Sequence, residues 1–192
     1  MKNLVILMLA LSCAHQPNLQ KNENSELKKY VRKDWHHWID QDRNCLDTRG
    51  EILKKHSLVP VEFNKKGCKV LHGKWDDYYH TQIHTNAAQV DIDHVVPLKN
   101  AHLSGGANWS HRSKEEFAND PENLVITNRA YNRKKGAKGI DQWLPVKIEY
   151  ACKYIKKWVS VKNQYSLKIL ANEQLAIDQI RYDCQLLGII LR

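Results

Sequence analysis

The stretch Asp91-Ile92-Asp93-His94-Val95-Val96-Pro97-Leu98 decides how this chain is read. Val90 to Ile92 is β-prone and leads into an Asp-His pair at the end of a short strand. A carboxylate beside an imidazole offers one hard oxygen ligand and one base with an ordinary pKa near ~6.5. Phosphodiester hydrolysis needs both an activated water and a cation to offset charge on the leaving oxygen. Strand neighbours point to opposite faces, so the chain must bend for Asp93 and His94 to serve one site, and Pro97 is consistent with a bend. Asp91 either supports this site or caps the strand.

Downstream, Leu124 to Thr127 reads as a second short strand, and Asn128 can cap a helix with the sequence NRAYNRKKGAK. On that helix Arg129, Asn132, Arg133 and Lys135 recur at spacings of three or four, so several share a face. Asn132 can complete a metal site with Asp93, while Arg129, Arg133 and Lys135 meet phosphates. In isolation the same basic run would be a solvated helix face. Strand, excursion, strand, helix is a ββα arrangement. The chain has ten histidines, and a single one is more often surface or structural than catalytic. His94 stands apart through its company. His80 and His84 mimic a metal pair at i and i+4, but their segment looks extended and they are read as incidental. The six tryptophans are assigned to core rather than to substrate.

With these pieces in order, the chain resembles the HNH (ββα-metal) nuclease family. The spacing from Asn123 to Asn132 (132 − 123 = 9), followed by Lys135-Gly136, matches that family's pattern. More closely it is similar to a secreted bacterial branch related to the C-terminal domain of GmrSD-type restriction enzymes. The shared boxes are Cys45 with Asp47-Thr48-Arg49, Gly73 with Trp75, Asp91 to Leu98, Phe117 to Leu124, Asn132 to Gly136, Trp143 to Pro145, and Cys152 with Tyr154 before Cys184. The resemblance implies that His94 is the general base, Asp93 and Asn132 bind one divalent metal, and Asn123 orients His94 by hydrogen bonding in the loop between the strands. It implies Mg²⁺ as that metal, with Mn²⁺ the alternative. Family members often carry structural-zinc cysteine pairs, but positions 128 and 131 here are Asn and Tyr, so no zinc is expected. The branch usually has a P-Y-T-G turn where this chain reads Asp77-Tyr78-Tyr79-His80, which leaves the local hairpin shape open.

The 192-residue length fits one domain behind a leader, and 42% hydrophobic residues suffice for a core. Thirty basic against 21 acidic residues give a net charge of +9, which favours a polyanionic partner such as nucleic acid or an anionic membrane surface. Lys2, the apolar run Leu4 to Leu11, and the small residues Ser12 and Ala14 read as an export leader over residues 1–14, too short to span a membrane. Cleavage before Cys13 would instead leave a lipid-bearing N-terminal cysteine. Either way Cys45, Cys68, Cys152 and Cys184 remain, and export suggests two disulfides. Of three pairings the sequence-local one, Cys45–Cys68 and Cys152–Cys184, is favoured. No two of these cysteines have the short spacing of zinc ligands.

Residues 15–25 read as a polar tether and 26–192 as the domain. Ser25 is expected to cap a helix carrying Leu27, Tyr30, Val31, Trp35 and Trp38. Thr48/Glu51 and Ser113/Glu116 read as capping boxes. Two amphipathic helices follow, one with Ile148, Cys152, Ile155 and Val159 on a face, the other from about Asn172 to Leu186. The expected fold is α+β, helix-rich, a single domain around a ββα-metal core and stapled by disulfides. The functional expectation is an exported endonuclease, secreted or periplasmic, acting as a monomer on DNA with little sequence preference, with RNA left open. The rival is a non-catalytic basic protein that binds nucleic acid through a decayed fold of the same kind.

Overall fold

A computed structural model describes residues 28–189. The leader over 1–14, Cys13 and the tether over 15–25 lie outside the described residues. Among the described residues there are two small sheets and six α-helices. After α1 (Thr48–Lys55) come β1 (Glu62–Phe63), β2 (Val70–Asp76) and β3 (Ile83–Asn86), which form an antiparallel sheet in that order. The strand β4 (Val90–His94) pairs antiparallel with β5 (Leu124–Asn128), and Asp93 lies opposite Val125. Between them run α2 (Leu98–Leu103) and α3 (His111–Asn119). The helix α4 (Arg129–Lys135) follows β5 directly, so the ββα unit expected from the sequence is present. The helices α5 (Ile148–Gln164) and α6 (Ala171–Leu186) close the domain.

Two apolar clusters hold these parts. Trp35, Tyr79, Val95, Val96, Phe117, Tyr154 and Trp158 are among the residues of the larger one, which packs α2, α3, α5 and α6 together. Ile52, Leu53, Trp75, Val90, Ile92, Leu124 and Ile126 belong to the smaller one, which packs α1 and the β2 sheet on one face of the β4–β5 ribbon. In β2, Gly73 is fixed by contact, since a Cβ there would meet the Trp75 ring at 2.5 Å. The bond from the Trp75 indole N–H to the Leu53 carbonyl ties that sheet to α1.

Disulfides join Cys45 to Cys68 and Cys152 to Cys184, the sequence-local pairing. The first ties the entry to α1 to the start of β2, and the second joins α5 to α6. A buried Lys162–Glu173 ion pair, bonded also to Ser104 and Asn100, anchors those two helices on α2. Lone buried charges would be costly, and here every member has a partner.

Three local expectations change. The helix expected from Ser25 is, among the described residues, only a 3₁₀ turn at Arg32–Asp34. Its two tryptophans are the reason: Trp35 enters the larger cluster and Trp38 packs on the smaller, which one straight helix could not satisfy. The cap of α1 is Asp47, whose carboxylate accepts from the Gly50 N–H, not Thr48. Thr48 donates instead to Ile39 O and Asn119 Oδ1. Ser110, not Ser113, caps α3, and its hydroxyl accepts from the Ser113 N–H. Asn128 caps α4 as expected, accepting from the Ala130 N–H at 2.8 Å. Among the described residues no helix is long and apolar enough to cross a membrane.

Candidate active site

Strand alternation sends Asp91 and Asp93 to one side of β4 and turns His94 to the other. The ladder continues past His94, with the Val95 N–H donating to Asn123 O, and Pro97 starts α2. The bend expected at Pro97 thus comes after both residues. Asp93 and His94 flank the strand's end rather than share a face.

The imidazole of His94 is 6% exposed, and its Nε2 lies 2.8 Å from the Ala118 carbonyl at the end of α3. A carbonyl only accepts, so Nε2 carries the proton and Nδ1 keeps its lone pair. Burial pushes this imidazole down to about 3, although the Ala118 bond acts in the opposite direction. The ring is therefore held neutral and in one tautomer.

Among the described residues Asn123 makes no hydrogen bond to that ring. Its Oδ1 accepts from the Val96 N–H at 2.8 Å, and its Nδ2 donates to Val96 O at 3.1 Å. It is fully buried and fixes the backbone just after His94. Orientation of His94 through the side chain falls to Ala118, and Asn123 acts one step removed, through the main chain.

Across the ribbon, Asp93 Oδ2 accepts from the Tyr79 hydroxyl at 2.6 Å and from Lys135 Nζ at 2.8 Å. Burial, then the neighbouring Asp93, raises the Tyr79 phenol well above its ordinary range, so it stays a donor. Lys135 is 0% exposed and also donates to His94 O at 2.8 Å. Its placement among the phosphate contacts is corrected: the ammonium is inside, not facing substrate. Burial pushes it down and Asp93 holds it up. The spacing places Lys135 on the same side of α4 as Asn132, and packing against β4 turns that side inward. Gly136 then reverses the chain with φ 56° and ψ −131°, a conformation that side chains disfavour.

Asn132 donates from Nδ2 to Asp91 Oδ2 at 3.1 Å, and Arg129 pairs with Asp91 Oδ1 at 3.5 Å. Asp91 thus positions α4 over the strand. Arg129 and Arg133 are exposed. Arg129 also lines an open cleft of about 400 Å³ with Arg49, Lys69 and Asp91. Arg49 is partly buried there and donates to Ala87 O and Val90 O. His84, read as incidental, is a buried partner of Asp77. Asp77 also accepts from Thr127 Oγ1 and the Asn128 N–H, and so holds the start of α4. Tyr79 and Asp77 were missed by sequence reasoning; both sit where the P-Y-T-G turn is replaced.

Among the described residues no group of three or more His, Cys, Asp or Glu is placed to hold a metal. The donor chemistry nonetheless suits a hard cation. Asp93 Oδ1 and Asn132 Oδ1 take no hydrogen bond among the described residues, and both are hard oxygens. Mg²⁺ commonly binds through one or two protein oxygens with waters and substrate phosphates.

No solved structure matches this chain. It is 35% identical over 159 residues to an uncharacterized secreted protein of Arthroderma benhamiae, covering 81% of this chain and 76% of that one. The family of GmrSD restriction endonuclease C-terminal domains matches residues 47–179, which span β4, β5, α4 and every side chain placed around Asp93 and His94 from Asp77 to Lys135. By that match the chain belongs to the GmrSD restriction endonuclease C-terminal domain family.

Proposed function

We propose that this protein is an exported, metal-dependent endonuclease that hydrolyses DNA phosphodiester bonds with little sequence preference. The observation that carries the reading is the His94 imidazole, whose Nε2–H donates to Ala118 O so that Nδ1, which takes no hydrogen bond among the described residues, presents its lone pair. Nδ1 takes a proton from water, the resulting hydroxide attacks phosphorus, and the P–O bond to the leaving oxygen breaks. A divalent cation, when bound by Asp93 and Asn132, supplies charge stabilisation to the phosphate and its leaving oxygen. Tyr79 and Lys135 hold the Asp93 carboxylate still through its other oxygen. Arg129 and Arg133 face solvent beside Asp91 and suit backbone phosphates of any sequence. Export is supported by the leader-like N-terminus, the two disulfides and the similarity to a protein named as secreted.

The rival, a non-catalytic nucleic-acid-binding module, draws support from the same Asp93, whose Oδ2 is already engaged by Tyr79 and Lys135. A plasmid-nicking assay on the oxidised protein separates the two. Nicking with Mg²⁺ or Mn²⁺ that stops in EDTA supports the enzyme. Binding without nicking under any divalent metal supports the module.

A further inference from the structure

The face of the catalytic imidazole is covered by a segment that the family match does not include. Residues 30–39 precede the matched range of 47–179. Trp38 lies flat on His94, with ring centroids 5.8 Å apart and 25° between planes. His37 meets the same ring edge-on at 6.0 Å. Trp38 adopts φ 63°, in the left-handed region, which is strained for a bulky residue. Such strain persists only where neighbours impose it. Here Asn119 imposes it: Oδ1 accepts from the Trp38 N–H at 2.9 Å, and Nδ2 donates to His36 O at 2.9 Å. The Thr48 hydroxyl donates to the same Oδ1 at 2.7 Å.

Asn119 follows Ala118, whose carbonyl takes the Nε2–H of His94. One helix end therefore fixes both the edge and the face of the base. A single hydrogen bond at Nε2 leaves the imidazole free to rock about that bond. A flat indole against the ring removes the rocking and leaves Nδ1 aimed in one direction. Core burial alone would not call for a left-handed tryptophan.

We propose that Trp38 is a positioning residue for the general base: latched by Asn119, its indole fixes the plane of the His94 imidazole and the direction of Nδ1. This rests on the nuclease reading above. It goes beyond that reading in placing part of the active site outside the residues that define the family.

The test compares Trp38→Leu, Trp38→Phe and Asn119→Ala with wild type in three measurements. These are kcat and KM on a DNA duplex, the melting temperature, and the imidazole NMR signals of His94, assigned with His94→Ala. A misaimed base can cost about a hundredfold in rate, so Trp38→Leu should lower kcat by roughly ten- to a hundredfold with KM unchanged. Trp38→Phe keeps an aromatic face and should lose less, and Asn119→Ala should fall between. The ring-current shift on the His94 protons should vanish in Trp38→Leu and persist in part in Trp38→Phe. Unaltered His94 signals in Trp38→Leu overturn the proposal. So does a kcat loss equal in Phe and Leu variants that follows the melting temperature alone. If wild type does not cut DNA, the nuclease reading fails by itself, and the NMR signals still decide whether Trp38 holds the ring.

Discussion

Replacing Lys135 by Met tests where α4 points its basic side chains. The ammonium is wholly buried and donates to Asp93 Oδ2 and His94 O, both at 2.8 Å. Methionine keeps most of the volume but leaves Asp93 with Tyr79 as its remaining side-chain donor among the described residues. Breaking one partner out of a buried ion pair typically costs about 3–5 kcal/mol, because the remaining charge stays buried and uncompensated. For a domain of this size each kcal/mol lowers the melting temperature by ~2–4 °C, so a fall of roughly 6–20 °C is expected by scanning calorimetry. Mn²⁺ should restore part of that loss, and more than it stabilises wild type, since a cation on Asp93 replaces the missing positive charge. DNA affinity of the folded variant should keep its salt dependence. A phosphate-facing lysine predicts the reverse, with an unchanged melting temperature and a salt slope reduced by about one. That pattern would mean the inward placement of Lys135 is wrong.

The remaining outcomes concern the site and the staples. His94→Ala should slow cleavage by about a hundredfold to ten-thousandfold while Mn²⁺ affinity in isothermal titration is kept, whereas Asp93→Ala should lose both cleavage and metal; the opposite pattern reverses the roles. The native pKa of His94, about 3, lies below the unfolded value near ~6.5, so its contribution is intact above about pH 6.5 and is lost as pH falls toward 3. Wild type should therefore lose more stability than His94→Gln between about pH 7 and pH 4, and kcat should show no acid limb near ~6.5; equal pH slopes, or a limb there, contradict the buried neutral imidazole. The disulfides close separations of 23 and 32 residues, which the loop-entropy estimate values at ~3.5 kcal/mol each. Non-reducing mass spectrometry should find Cys45, Cys68, Cys152 and Cys184 without free thiols, and reduction should lower the melting temperature sharply.

Much of the frame could be read from the chain because it is encoded locally. Alternation through Val90–His94, the short apolar run Leu124–Thr127 and the Asn128 cap place β4, β5 and α4 without knowledge of anything else. The helical apolar spacing in 148–164 and 171–186 places α5 and α6 in the same way. Misplaced caps at Thr48 and Ser113 fall within the same local logic, since Asp47 one residue earlier and Ser110 three residues earlier are equally good acceptors. The Asp-His pair and its companions carry the family resemblance by order and spacing alone, and the family match bears that resemblance out.

What the chain could not disclose is which element lands on which. Tyr79 reaches Asp93 across 14 residues, and Trp38 reaches His94 across 56 (94 − 38). Neither contact leaves a periodic trace, because each comes from packing between elements that approach only once the core has formed. Asn123 is expected to orient His94 by hydrogen bonding in the loop between the strands, but the chain does not say onto which groups. The fold sets it on the Val96 backbone and gives the ring's Nε2–H to Ala118 O. Lys135 shows the division most plainly. Spacing fixes that it shares a side of α4 with Asn132, but periodicity is blind to whether that side meets water or a strand. Tertiary packing set that side against β4, where the buried Asp93 carboxylate is close enough to offset the cost of burying the ammonium.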